Sequence, residues 1–194
     1  MSMTELSSLP TVTVVVGSTR PVRIGDQIGE EIARTVSSAV HAGVRVVDLR
    51  ELALPSLDEP RPPAFGQYAN AHTLDWKSIV DGSDAVVFVT PQYNAGYPGD
   101  LKNAIDYLYA EWAGKPAAIV SYGAHGGGQA ADQLASVLSF MKLDLAPEPV
   151  QITVPQEAYG TDWRLTDPAA VVEPVRKQLT DLARHLLDRV LVAA

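Results

Sequence analysis

Five short apolar runs recur along this chain, at residues 12–17, 44–49, 85–90, 117–121 and 150–154, and the first three are rich in valine. A short, nearly continuous apolar run suits a strand covered on both faces, which is the condition of a parallel sheet. The segments between them have helical spacing. Ile24, Ile28, Ile32 and Val36 recur at every fourth position. Leu101, Ile105, Leu108 and Trp112 form a second stripe, and Leu134, Val137, Leu138 and Met141 a third. A weaker helix is expected over 73–81, and Val171, Val175, Leu179, Leu182, Leu186 and Val190 mark a closing one. Strand and helix thus alternate five times, the pattern of an open, doubly wound α/β fold.

Pro147 and Pro149 precede the fifth run and Pro155 follows it. Proline cannot donate to a ladder, so this strand is expected at a sheet edge. Residues 54–72 lack periodicity and hold Pro55, Pro60, Pro62 and Pro63. This long loop follows the second strand, which puts it on the carboxyl edge of the sheet. It is either part of a ligand site or a plain surface excursion. Residues 11–194 are expected to form one domain behind a flexible tail, 1–10.

Composition excludes several chemistries. The chain has no cysteine, which removes disulfides, thiolate metal sites and thiol nucleophiles. A net charge of −8 argues against nucleic acid or an anionic membrane as partner. The first residues do not read as a signal peptide, and no apolar run approaches the roughly 20 residues of a membrane span. The expected location is the cytoplasm. No pair among His41, His72, His125 and His185 has metal-ligand spacing. No metal is therefore expected.

Three loops could carry chemistry, and all follow strands that end on the same sheet edge. The first is Gly17-Ser18-Thr19-Arg20-Pro21-Val22-Arg23-Ile24, leading into a helix. Backbone N–H groups at a helix start favour an anion, hydroxyls add donors, and guanidinium forks suit phosphate. The alternative is a plain helix cap with solvated arginines. Neither a G-x-G-x-x-G after the first strand nor a Walker loop is present, so the loop reads as a monophosphate pocket. The second loop is Pro91-Gln92-Tyr93-Asn94. The third runs from Ser121 through Gly123, His125, Gly126 and Gly127. Four glycines within 123–128 let backbone approach a flat ligand closely. With strands in order 2-1-3-4-5, the loops flank the switch point between strands one and three. Phosphate is then expected at the first loop, and a planar ring between the other two.

These motifs resemble those of the NADPH-dependent FMN reductase-like family of flavodoxin-like proteins. The likeness rests on Gly17-Ser18-Thr19-Arg20 with Arg23, on Pro91-Gln92-Tyr93-Asn94, on Pro98-Gly99-Asp100-Leu101-Lys102-Asn103-Ala104-Ile105-Asp106, and on Gly123 to Gly127. It covers roughly residues 12–145. The resemblance implies a three-layer αβα sandwich and a tightly but non-covalently bound FMN. Ser18, Thr19, Arg20, Arg23 and the Ile24 N–H would hold the phosphate. Pro91, Gln92, Tyr93 and Asn94 would line the ring, and Ser121, Gly123, Gly126 and Gly127 its pyrimidine end. His125 is left between a flavin or nicotinamide contact and a solvent-facing residue. No catalytic side chain is assigned, because orientation and electrostatics suffice.

The resemblance further implies hydride transfer from NADPH or NADH to FMN N5. Electrons then pass in ping-pong order to a quinone, free flavin, azo dye or similar acceptor. A flavodoxin-like electron carrier and a non-catalytic flavin sensor stay open on the same fold. Tyr107, Tyr109 and Trp112 give the third helix more aromatic surface than one core needs. They are expected at a homodimer or dimer-of-dimers interface. Asp58 and Glu59 in the proline-rich loop read as solvated charge.

Overall fold

In the computed structural model, which describes residues 9–193, β1 (Thr11–Val16) lies inside the sheet. Its neighbours are β2 (Gly43–Asp48) and β3 (Ala85–Pro91), both parallel to it. β4 (Pro116–Gly123) adds to β3, which gives the order 2-1-3-4 before the edge. Side chains alternate between faces along each strand. Val12 and Val14 pack with Ile28 and Ile32 of α1 (Gly25–Ala39), whereas Val15 and Phe88 pack on the opposite face. The flavodoxin-like three-layer sandwich follows. α1, α6 (Pro168–Val172) and α7 (Arg176–Ala193) cover one face. α3 (Ala71–Asp81), α4 (Gly99–Asp106) and α5 (Gly128–Phe140) cover the other. A one-turn α2 (Leu49–Leu52) follows β2.

The edge differs from a single fifth strand. β5 (Asp144–Leu145) pairs with Pro116 and Ala117 at the start of β4. β6 (Val150–Thr153) pairs with Val120 to Gly123 at its end. Pro147 and Pro149 lie between them, so the chain leaves the ladder where it has no N–H to give and rejoins it afterwards. The fifth position is thus filled by two segments.

Two helices are shorter than their stripes. α4 ends at Asp106, and a 3-10 turn over Ala110–Trp112 swings Trp112 inward. Its ring centroid lies 6.0 Å from that of Trp76 and 5.8 Å from that of Phe88, and its Nε1 donates to the Ile105 carbonyl at 3.0 Å. Trp112 and Tyr107 are fully buried in this chain's own core, which corrects their expected place at an interface; Tyr109 alone is exposed, at 37%. Pro174 likewise divides the closing helix into α6 and α7.

Residues 54–72 are tied to α4. Asn103 donates to the Pro55 carbonyl at 2.7 Å and accepts from the Leu57 N–H at 2.9 Å. Tyr107 donates to Asp58 at 3.0 Å, and His72 Nε2 lies 2.9 Å from the same oxygen. Glu59 accepts from the Ala69 and Asn70 N–H groups at 2.8 and 3.0 Å. Asp58 and Glu59 are therefore the acceptors that fasten this loop rather than free charge. Residues 1–8 of the expected tail lie outside the described residues. Pro10 is already tied down, its carbonyl accepting from Gly43 at 2.7 Å.

Candidate functional site

A cleft of about 720 Å³ opens at the carboxyl edge of the sheet, where the loops after β1, β3 and β4 meet. This size suits a cofactor or a drug-sized ligand. Ser18 is buried beneath it, with its Oγ 2.7 Å from the Tyr93 hydroxyl. Arg20 is exposed at the rim, its guanidinium carbon 5.7 Å from the Tyr93 ring centroid. That is cation–π distance. Arg23 is buried and donates through Nη2 to Asp48 at the carboxyl end of β2. Ile24 caps α1 and also lines the cleft. The start of α1 therefore carries the positive end of the helix dipole toward this corner.

Thr19 turns the other way. Its hydroxyl donates to Asp100 at 2.5 Å, and it lines a separate cavity of about 170 Å³. In the second loop, Pro91, Gln92 and Tyr93 reach the cleft, while Asn94 does not line it. The Tyr93 and Gly96 backbones bond to each other at 2.8 and 3.0 Å, with Asn94 and Ala95 at φ 49° and 70°. Two left-handed residues between paired ends form the tight turn favoured in hairpins. It puts Asn94 at an exposed tip, and Gln133 of α5 braces it by donating to the Ala95 carbonyl at 3.0 Å.

The third loop divides by role as well. Gly123 and Ala124 line the cleft. Ser121 is buried and donates to the Gly126 carbonyl at 2.7 Å, so it shapes the loop from beneath. Gly127 has φ +78°, and a Cβ there would stand 3.0 Å from the Tyr122 carbonyl oxygen. Gly126 is buried, and His125 is exposed outside the cleft. Tyr122, which the sequence reading passed over, also lines the cleft. Burial pushes its phenol well above the usual range, so it stays protonated. Val22, Val154, Gln156, Tyr159 and Trp163 complete the walls without any motif to announce them.

Nε and Nη1 of Arg23 are buried and have no hydrogen-bond partner. Buried donors are rarely left unpaired, and here they belong to a cation beside a hydroxyl and a helix start. The donor set fits a phosphate group, and a cleft of about 720 Å³ has room for the remainder of FMN. Among the described residues there is no cluster of His and carboxylate side chains able to hold a metal ion. No helix among them is long and apolar enough to cross a membrane.

The family model for NADPH-dependent FMN reductase matches residues 10–156. An NAD(P)H-dependent FMN reductase of Schizosaccharomyces pombe is 43% identical over 154 residues, 78% of this chain and 77% of the relative. A quinone reductase of Pseudomonas putida strain KT2440 is 36% identical over 132 residues, 63% of this chain and 66% of the relative. Among solved structures, FerB, a flavoenzyme NAD(P)H:(acceptor) oxidoreductase from Paracoccus denitrificans, superposes with a TM-score of 0.70 at 28% identity. That superposition covers 94% of this chain and 97% of FerB. By matched length, by identity and by the three loops at one sheet edge, the chain belongs to the NADPH-dependent FMN reductase family.

Proposed function

We propose that the chain is an FMN-dependent NAD(P)H oxidoreductase that reduces quinones, free flavins, azo compounds or similar two-electron acceptors. For a quinone the balance is NAD(P)H, one proton and quinone giving NAD(P)⁺ and hydroquinone. The observation that carries this reading is that Nε and Nη1 of the cleft-lining Arg23 are buried without a hydrogen-bond partner, Nε having only Asp26 at 4.0 Å. FMN supplies the capacity to accept a hydride equivalent from a nicotinamide and release two electrons to an acceptor. Arg23 and Arg20 would neutralise its phosphate, with the Ser18 hydroxyl and the Ile24 N–H as further donors. Pro91, Gln92 and Tyr93 position the ring, with Asn94 fixing the turn that holds them. Gly123 brings backbone close to the pyrimidine end, where N–H donors stabilise negative charge. Thr19, Ser121, Gly126 and Gly127 act from behind by shaping the loops. His125 faces solvent beside the cleft.

No side chain need transfer a proton to substrate. Donor and acceptor share the cleft and use it in turn, which gives a ping-pong order. Parallel double-reciprocal lines for NAD(P)H against a quinone are expected, and intersecting lines would exclude that order. Purified protein should be yellow, release FMN on denaturation, and oxidise NADPH or NADH rapidly when a quinone is present. A yellow protein that ignores both nicotinamides would be an electron carrier, and a colourless one a sensor or interaction protein. The cytoplasm suits such a reductase, because reduced nicotinamides are kept there. A homodimer or dimer of dimers belongs to the same reading. It is supported by Tyr109 and by Leu57 and Phe65 of the 54–72 loop, which are 37%, 44% and 67% exposed.

A further inference from the structure

One wall of the cleft comes from a segment beyond the family match, which ends at residue 156. Tyr159 and Trp163 lie in this segment, and both line the cleft. The segment is a tight hairpin. Tyr159 pairs with Leu165 in antiparallel fashion. The Gly160 N–H donates to the Arg164 carbonyl at 2.8 Å, and the Trp163 N–H to the Gly160 carbonyl at 3.0 Å. α1 grips the hairpin from the other side. Gln27 donates to the Leu165 carbonyl and accepts from its N–H, both at 3.0 Å. Arg164 donates to the Arg23 carbonyl at 3.0 Å and pairs with Asp26 at 2.9 Å. The hairpin is thus fixed to the same turn that carries Arg23.

At its tip Trp163 is 67% exposed and sits at φ +61°. A bulky side chain is disfavoured at that angle, and an indole in solvent gains nothing from burial. Its ring centroid lies 6.2 Å from that of Tyr159, tilted by 57°. Two aromatic side chains therefore line an open cleft. Electron-rich ring faces stack against electron-poor planar rings.

We propose that Tyr159 and Trp163 form the acceptor-recognising wall of the cleft, selecting flat, electron-poor rings such as those of quinones. This rests on the functional reading above. The test uses the FMN-loaded protein with 1,4-naphthoquinone and with ferricyanide, a non-planar oxidant that cannot stack. Trp163→Gly removes the ring while keeping a residue that tolerates φ +61°. It should lower kcat/KM for the naphthoquinone about three- to tenfold, mainly through KM, and lower ferricyanide reduction and FMN affinity far less. Trp163→Phe should restore most of the loss. A direct readout is also at hand, because Trp76 and Trp112 are buried and Trp163 is the exposed indole. Naphthoquinone should quench its emission saturably without nicotinamide, and the quench should vanish in Trp163→Gly. Equal losses with both oxidants, or no change with either, would overturn the proposal. FMN affinity falling in step with turnover would also overturn it, by making Trp163 a cofactor contact. A wild-type protein that takes up no FMN at all would instead sink the functional reading, and this wall with it.

Discussion

The Ser18 hydroxyl and the Tyr93 hydroxyl stand 2.7 Å apart, joining the loop after β1 to the loop after β3 across the foot of the cleft. The loop proposed to hold the phosphate and the loop proposed to line the ring are therefore one hydrogen-bonded unit. Arg20 over the Tyr93 ring adds a second tie between the same loops. A ligand anchored at one end meets a surface already set at the other, which lowers the ordering cost of binding.

Arg23 gives the sharpest test of that unit. Replacing it alone would strand Asp48, whose side chain is only 17% exposed. The useful variant is Arg23→Ala with Asp48→Asn, which removes both charges. FMN affinity should fall by about 3 kcal/mol or more, roughly a hundredfold in Kd, for two lost charge-assisted bonds. Riboflavin affinity should change little. Both follow from flavin fluorescence titration, and equal losses for the two ligands would refute the phosphate assignment.

Gly127 and Gly123 should separate folding from binding. Gly127→Ala meets both φ +78° and the Tyr122 backbone, with carbonyl oxygen at 3.0 Å and nitrogen at 3.2 Å. It should lose about 1–3 kcal/mol in urea unfolding. Gly123→Ala meets only the Gly127 nitrogen at 4.0 Å. Its stability should stay within about 0.5 kcal/mol of wild type, while FMN affinity drops because the methyl enters a lining position. Unchanged FMN affinity in Gly123→Ala would remove this loop from the ring site.

Much of this was readable from sequence, for physical reasons that also mark where reading stops. The valine runs of β1 and β3 and the Ile24–Ile28–Ile32–Val36 stripe are burial patterns, and all four stripe residues are buried. The valine run of β2 lies at the sheet edge, where Val46 is 36% exposed. That Ser18, Arg23 and Tyr93 share one cleft was legible because the loops that carry them follow strands ending on one sheet edge. Direction within a loop was not. Nothing in Ser18-Thr19 says that one hydroxyl faces the cleft and the next faces Asp100. Trp112 continued a helical stripe, but α4 stops at Asp106, and the following turn sends the ring inward. Tyr159 and Trp163 lie in an irregular hairpin held by contacts to residues 23–27, and no local period records such contacts.

Acid should loosen the 54–72 loop before the sheet. The hydrogen bond from His72 holds the Asp58 carboxyl below its usual range; burial opposes this, and bonds from Tyr107 and Asn70 reinforce it. A group lowered in the folded state stabilises fully above its unfolded pKa, and loses that contribution as pH falls through its folded value. Amide exchange around residues 55–59 should therefore accelerate below the ordinary aspartate range, ahead of exchange in β1 and β3. Asp58→Asn should weaken the acid dependence, leaving the part that Glu59 contributes, and a loop whose acid dependence is the same in that variant would exclude Asp58 as a cause.

Tyr109 and Trp112 are three residues apart and should answer differently to the same substitution. Trp112 is fully buried between Trp76 and Phe88. Trp112→Asp puts an unpaired charge in the core, and several kcal/mol of destabilisation should leave little folded protein. Tyr109 is 37% exposed, so Tyr109→Asp should leave the monomer fold within about 0.5 kcal/mol. Should this face join subunits, the new charge would be buried at the contact and the oligomer would weaken. Sedimentation velocity and bound-flavin absorbance on the same Tyr109→Asp sample separate the effects. The expected outcome is a lighter species with near-native circular dichroism. An unchanged sedimentation coefficient in a protein that is oligomeric as wild type would move the interface to another face of the molecule.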